Sequence, residues 1–207
     1  MTTITLYRAV ACPYSHRVEL VLAAKGLAAD FVEIDLLDRP AWFMERESGG
    51  KIPLIEVDGT AVPFGDRVNE YLDERFPVPA LNPGTPEQRA EVRTWVDWCT
   101  DTLGPTYEAA LMNVDGSQQA KLLRKVEKVV ADLEERLVAR RNSGPYWHGA
   151  SAGLVDYTYA TILLRFEGLS RFHGWSIPAE CERLIAWRAT LLSDPLVGEA
   201  SDAEAIA

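Results

Sequence analysis

Residues 12–15 read Cys12-Pro13-Tyr14-Ser15 and stand between an apolar run, Ile4 to Val10, and an amphipathic run, Ser15 to Gly26. If the first run is a strand and the second a helix, Cys12 sits at the entry to a helix N-terminus. There the unsatisfied backbone N–H groups and the helix dipole favour negative charge. A thiol in that position is the kind that reacts as a thiolate, and the alternative is a buried structural cysteine. Pro13 suits the first helical turn because its missing N–H would have had no partner there. Ser15 occupies the fourth position where a dithiol site would carry a second cysteine. The stretch therefore cannot close an internal disulfide, and any redox step needs a thiol from outside it.

Working outward, the first eighty residues alternate strand and helix signals. Ile4 to Tyr7 reads as a strand, and Val18, Val21 and Leu22 form one apolar helical face that Lys25-Gly26 closes with a cation and a glycine. Phe31 to Leu36 reads as a second strand, and Arg39 to Glu47 as a short helix with Pro40 in its first turn. Leu54 to Val57 and Ala61-Val62 flank Asp58-Gly59, a strong hairpin dipeptide. Val68, Tyr71, Leu72 and Phe76 then mark a helix. The predicted order is βαβαββα, a parallel crossover followed by an antiparallel hairpin.

Pro77, Pro79, Pro83 and Pro86 break the pattern, and strand signals end there. Val92, Trp95, Val96, Cys99 and Leu103 share a helical face; Leu122, Val126, Val129, Leu133 and Leu137 share another. Val155 to Leu169 is apolar nearly all round, as at the centre of a bundle, and Leu184 to Leu192 is a last amphipathic helix. The expected class is α/β plus all-α: a βαβαββα domain over 1–78, a linker over 79–86 and an all-helical domain over 87–207.

Composition excludes several function classes. With 207 residues and 47% hydrophobic content, two small domains can each bury a core. The net charge of −10, from 21 basic and 31 acidic residues, disfavours direct binding to nucleic acid, which requires phosphate neutralisation. No apolar run approaches the ~18 residues of a membrane span, and no signal-peptide pattern is evident. Three scattered cysteines, Cys12, Cys99 and Cys181, argue against a secreted disulfide framework and for a reducing, cytoplasmic compartment. His16, His148 and His173 form no metal-ligand spacing with them, so no metal is expected.

A βαβαββα unit with a cysteine before its first helix, a proline-rich linker and an all-helical half together resemble the cytosolic glutathione S-transferase family over essentially the whole chain. Cys12-Pro13-Tyr14-Ser15-His16-Arg17 is similar to the start of its omega-like, cysteine-containing branch, and it also resembles stringent starvation protein A. Lys51-Ile52-Pro53-Leu54 is similar to the family's cis-proline loop, Glu70 to Glu74 to the end of its third helix, and Pro145 to Gly149 with Asp156 to its folding motif. The resemblance implies a thioredoxin-like N-terminal domain that binds a thiol and a helical domain that supplies a substrate cleft. It implies Cys12 as the catalytic residue and a cis bond before Pro53 that turns the main chain of Ile52 toward the cysteine. Arg39 stands where omega-like members hold the glycine carboxylate of glutathione, and the alternative is a solvated surface arginine. Tyr14, Arg39, Lys51, Ile52, Pro53, Gly65 and Asp66 are the implied thiol-binding residues, with Trp98 and Tyr107 in the cleft and Trp95 in the core. Glutathione or another small thiol is the implied co-substrate, a small electrophile or disulfide the acceptor, and a homodimer the assembly.

Two departures qualify this. Phe64 and Gly65 occupy the positions of the acid–serine pair that holds the γ-glutamyl end of glutathione in the family. Losing one charged hydrogen-bond set costs ~1.5–3 kcal/mol. Gly153 stands where Ser or Thr usually caps the helix of the folding motif. Three functions compete: a thiol transferase or reductase that forms a mixed disulfide at Cys12; an isomerase or lyase with a repurposed anion site; and a noncatalytic regulator. Cys99 lies on an apolar stripe and reads as an inert core residue. Cys181, near a helix start, is either partly reactive or a surface cysteine without a role.

Overall fold

The computed structural model describes residues 2–47, 49–62, 67–140 and 144–200. They divide into two compact units, Met1–Ala80 and Leu81–Ala207.

In the first unit, β1 (Ile4–Arg8) runs parallel to β2 (Asp30–Glu33) and antiparallel to β3 (Leu54–Val57), which pairs antiparallel with β4 (Thr60–Val62). The sheet order is β2-β1-β3-β4. Helix α1 (Pro13–Ala24) crosses from β1 to β2, and α2 (Ala41–Arg46) and α3 (Val68–Arg75) complete the expected βαβαββα order. Leu6 and Tyr7, neighbours on opposite faces of β1, are both buried, so the sheet is covered on both sides. Tyr7 packs with Ile34, Phe43 and Leu54 on one of those faces.

Strand β2 is shorter than the run Phe31 to Leu36 predicted. Ile34 still donates its N–H to Arg8 O (2.7 Å), but the Asp35 carboxylate then accepts from Leu37 N–H (2.8 Å), and this local turn ends the pairing. At the hairpin, Asp58 (φ 51°) and Gly59 (φ 76°) both take the left-handed conformation of a two-residue turn that follows the strand twist. Helix α1 ends as predicted at Gly26 (φ 62°), with Gly26 N–H donating to Ala23 O and Leu27 N–H to Leu22 O. Lys25 does more than face the dipole. Its ammonium is fully buried, pairs with Asp73 of α3 (2.6 Å) and donates to Pro79 O (2.7 Å).

The second unit is helical throughout. Helix α4 (Pro86–Trp98) opens with Thr85 accepting from Gln88 N–H while the Gln88 side chain accepts from Thr85 N–H. The stripe through Val92, Val96, Cys99 and Leu103 is buried, yet it is not one regular helix. A π-helical turn, Cys99–Leu103, separates α4 from α5 (Gly104–Leu111). Pro105 is the physical reason, since it brings no N–H to the ladder and crowds the carbonyl four residues back. On α6 (Gly116–Ala139) the buried face is Val126, Val130, Leu133 and Leu137, so Val130 and not Val129 completes the stripe. Helix α7 (Leu154–His173) is the central helix, buried nearly all round its first four turns. Glu134 of α6 caps α8 (Glu182–Ser193) from a distance, accepting from Arg183 N–H (3.0 Å) and Leu184 N–H (2.7 Å). Helix α9 (Pro195–Ala200) follows. No helix among the described residues is long and apolar enough to cross a membrane.

Candidate active site

Cys12 is the residue before α1. Its backbone is extended (φ −79°, ψ 117°), its carbonyl accepts from His16 N–H (3.1 Å), and its side chain makes no capping bond to the helix. The thiol therefore stands at the positive end of the helix without being used to cap it. It is 9% exposed. Two hydrogen bonds hold the turn that presents it: Cys12 N–H donates to Ala9 O (3.0 Å), and Ser15 Oγ accepts from Ala9 N–H (3.2 Å). Both main-chain groups of Ala9 are thus tied to the segment it leads into. Ser15 is completely buried, so a hydroxyl that looked in the sequence like an absent second cysteine is a strut for the loop.

Tyr14 is half-buried, and the guanidinium of Arg17 lies 4.7 Å above its ring. Arg17 and His16 are both buried. The Tyr14–Arg17 stack follows the i,i+3 spacing that puts two helical side chains on one face, a signal present in the sequence but overlooked there.

The Ile52–Pro53 bond is cis, and a second cis bond, Val78–Pro79, was not anticipated. Ile52 packs against the Tyr7–Phe43 cluster, and among the described residues neither its N–H nor its C=O is hydrogen-bonded within the chain. That leaves a main-chain donor and acceptor for an extended ligand. Lys51 is exposed and Pro53 buried. Arg39 is exposed, but its guanidinium is engaged, with Nε donating to Gly50 O (2.9 Å) and Nη1 to Leu36 O (2.7 Å). Its sequence reading as either a ligand cation or a solvated arginine omitted this third role of tying Leu36 and Gly50, on either side of α2, to one side chain. Phe64, Gly65 and Asp66, where the altered γ-glutamyl subsite falls, lie outside the described residues.

In the helical unit one cleft expectation is corrected. Tyr107 is 3% exposed, donates to Arg165 O (2.9 Å) and stacks on Phe166 (centroids 5.5 Å, 20°). Burial pushes its phenol up to about 12. It is a core residue, because the π turn ahead of it rotates α5 so that position 107 faces α7. Trp98 remains half-buried, stacked on Tyr159 with the Arg136 guanidinium 5.6 Å from its ring. Trp95, expected in the core, is likewise only half-buried, 4.8 Å from Trp147.

The folding motif is resolved in full. Asp156 is completely buried and accepts three hydrogen bonds: Trp147 N–H (2.9 Å) and Trp187 Nε1–H (2.8 Å) on Oδ1, and Gly153 N–H (3.0 Å) on Oδ2. Burial pushes its carboxyl up, against the pull of the three donors. Gly153 departs from Ser or Thr for a steric reason: a Cβ there would lie 2.7 Å from Leu81 O, which accepts Leu154 N–H (3.0 Å) and cannot retreat freely.

The other two thiols differ from Cys12. Cys99 is fully buried, with Sγ 3.9 Å from Thr158 O. Cys181 is 3% exposed, so it is buried and not a surface cysteine, and burial with the neighbouring Glu134 and Glu180 charges pushes its thiol up. Among the described residues no three His, Cys, Asp or Glu side chains are grouped to hold a metal.

Comparison with known proteins matches both halves. Residues 6–84 match the glutathione S-transferase N-terminal domain family, and residues 83–190 the glutathione S-transferase C-terminal domain family. The chain is 30% identical over 184 residues to the probable cytosolic glutathione S-transferase DHAR1 of Oryza sativa subsp. japonica, covering 88% of this chain and 80% of that one. It superposes on the omega 3C glutathione transferase of Trametes versicolor with a TM-score of 0.83 at 27% identity, covering 95% of this chain and 83% of that one. Against Chlamydomonas reinhardtii dehydroascorbate reductase the TM-score is 0.78 at 28% identity, covering 99% and 95%. A thioredoxin-like unit with a cysteine at its first helix, an all-helical unit built on the Asp156 motif, and these matches lead to one conclusion: the chain belongs to the glutathione S-transferase family, among relatives of the omega and dehydroascorbate reductase kind.

Proposed function

We propose that this protein is a cysteine-dependent glutathione transferase and reductase in which Cys12 forms a mixed disulfide with glutathione. The observation that carries the reading is Cys12 at the N-terminus of α1, uncommitted to capping and held by the Ala9 hydrogen bonds, with Ser15 in place of a resolving cysteine. The Cys12 thiolate attacks the glutathionyl sulfur of a mixed disulfide; the S–S bond breaks, the other sulfur departs as a thiolate and takes a proton from solvent. A glutathione thiolate then attacks the Cys12–glutathione bond, giving glutathione disulfide and regenerating the Cys12 thiolate. Net, one glutathione thiol enters, the acceptor sulfur leaves as a thiol, and its glutathionyl group leaves joined to the entering one as glutathione disulfide. Because the fourth position is serine, no internal thiol competes for the second step.

The N-terminal unit is the thiol-binding domain in this reading. Ile52 offers its main chain to the peptide of glutathione, Pro53 fixes that edge, and Tyr14 and Lys51 flank it. Arg39, while tying Leu36 to Gly50, adds positive charge for the glycine carboxylate, and Gly65 with Asp66 meets the γ-glutamyl end. The helical unit receives the acceptor, with Trp98 as its aromatic contact. The working state is a homodimer in a reducing, cytoplasmic setting. Dehydroascorbate, the substrate in the name of the algal relative, is the first acceptor to assay.

The test is intact-protein mass spectrometry after exposure to glutathione disulfide, on wild type and Cys12→Ser. A single reductant-labile glutathione adduct that maps to Cys12 and is lost in the variant supports the proposal. A folded wild-type protein that takes no adduct at Cys12 overturns it and favours an isomerase, lyase or regulator on the same scaffold.

A further inference from the structure

The helical unit contains a cavity of about 350 Å³ where the second half of α7, the segment after it and α8 meet. That volume is at the lower end of small-molecule sites, which start at roughly 300 Å³. Phe166 and Trp175 form its aromatic wall, edge to face at 5.6 Å, and Ile185, itself partly exposed, adds an aliphatic one.

The polar groups set into that apolar frame are of both signs. Arg188 is half-buried and its Nε donates to Leu163 O (2.9 Å). Its two terminal nitrogens have no hydrogen bond or ion pair among the described residues. Glu167 lines the open side of the same cavity, where it is exposed to solvent, and makes no ion pair with Arg188 or with any other described cation. Ser170, one turn along α7, adds a hydroxyl. Trp175 is 7% exposed, and its indole N–H has no hydrogen-bond partner among the described residues. The buried indole N–H of Trp175 and the half-buried Arg188 guanidinium are the unsatisfied part of the lining, and Glu167 at the exposed rim offers the opposite charge to a ligand that reaches it.

We propose that this cavity binds a small zwitterion with an apolar body, of the aromatic or branched α-amino acid class. The ligand carboxylate takes the free end of the Arg188 guanidinium, the ammonium takes Glu167 and Ser170, and the side chain lies against Phe166, Trp175 and Ile185. The site lies within the helical unit and uses no residue assigned above to thiol chemistry.

The experiment is isothermal titration of the full chain with L-phenylalanine, repeated with N-acetyl-L-phenylalanine, which lacks the cation, and phenethylamine, which lacks the anion. The same titrations are run on Glu167→Gln, Arg188→Gln and Cys12→Ser. Saturable binding with a Kd of about 1 mM or tighter is expected for L-phenylalanine. Removing either ligand charge, or either protein charge, should weaken it by about ten-fold or more. Cys12→Ser should leave it unchanged. Arg188 also anchors to Leu163 O, so Glu167→Gln, which breaks no side-chain hydrogen bond or ion pair among the described residues, keeps the test decisive if Arg188→Gln is poorly folded. Absence of saturation, equal binding of all three compounds, or full affinity in Glu167→Gln overturns the assignment.

Discussion

Replacing Asp156 tests whether the folding motif is held together by one buried acceptor. The carboxylate receives three N–H donors, two on Oδ1 and one on Oδ2, at 2.8 to 3.0 Å, with no solvent access. Asp156→Ala leaves all three donors without an acceptor, two of them buried and the Gly153 N–H partly so. At about 1–3 kcal/mol for each unsatisfied buried group, the loss is roughly 3–9 kcal/mol. Against a total stability of about 5–15 kcal/mol, that is enough to unfold the unit or nearly so. Asp156→Asn behaves differently. Its amide oxygen can still accept from Trp147 N–H and Trp187 Nε1–H, and it avoids the cost of a buried charge, but its NH₂ then faces Gly153 N–H. One donor is lost, at about 1–3 kcal/mol. Urea unfolding followed by tryptophan fluorescence and far-UV circular dichroism measures both, and Trp147 and Trp187 report directly on the motif. The reasoning is refuted if Asp156→Ala falls within about 1 kcal/mol of wild type, or if the two variants are equally destabilised.

Gly153→Ser supplies a better capping residue, a gain of a few tenths of a kcal/mol, but drives a Cβ to 2.7 Å from Leu81 O; overpacking of about 1–3 kcal/mol should win, and a variant more stable than wild type in urea would show the glycine is not there for space. Lys25→Met removes the cation from its buried pair with Asp73 and the donor to Pro79 O, an expected cost of about 3–5 kcal/mol, whereas a change under about 1 kcal/mol in the same assay would mean the pair is not structural. Burial lowers the affinity of His148 for a proton, so the fold prefers it neutral while the unfolded chain protonates near its ordinary pKa of about 6.5. Its contribution is therefore fully present above about pH 6.5 and is lost as pH falls through the depressed folded value. The pH-dependent loss of stability on acidification should be shallower in His148→Gln, and identical slopes would contradict the assignment.

What could be read from the residues themselves was whatever local chemistry dictates. Asp58-Gly59 is a hairpin turn because few residue pairs take two consecutive positive φ values, and Gly26 ends α1 for a related reason. The alternation of strand and helix periodicity led to the βαβαββα order, and Cys12-Pro13 marked a helix start because proline is suited to the first turn. Family resemblance added the cis bond at Ile52–Pro53 and the Asp156 motif.

Tertiary structure decided the rest, because it depends on what lies opposite. Lys25 looked like a helix-end cation and is a buried partner of a residue 48 positions away. Tyr107 carried the same aromatic signature as Trp98, yet the π turn before it directs one inward and leaves the other half-exposed. Gly153 read as a tolerated departure from the usual Ser or Thr cap, and only the carbonyl of Leu81, in the space a side chain would need, gives the reason for it. Arg188 and Glu167 share a cavity that no spacing rule predicts, since one faces it from α7 and the other from α8. Local sequence determined the βαβαββα order of the first unit, the turns at Gly26 and Asp58-Gly59 and the start of α1 behind Cys12, because those follow from backbone preferences a few residues wide. The partners of each side chain were settled only by packing, because they come from segments the sequence does not place side by side.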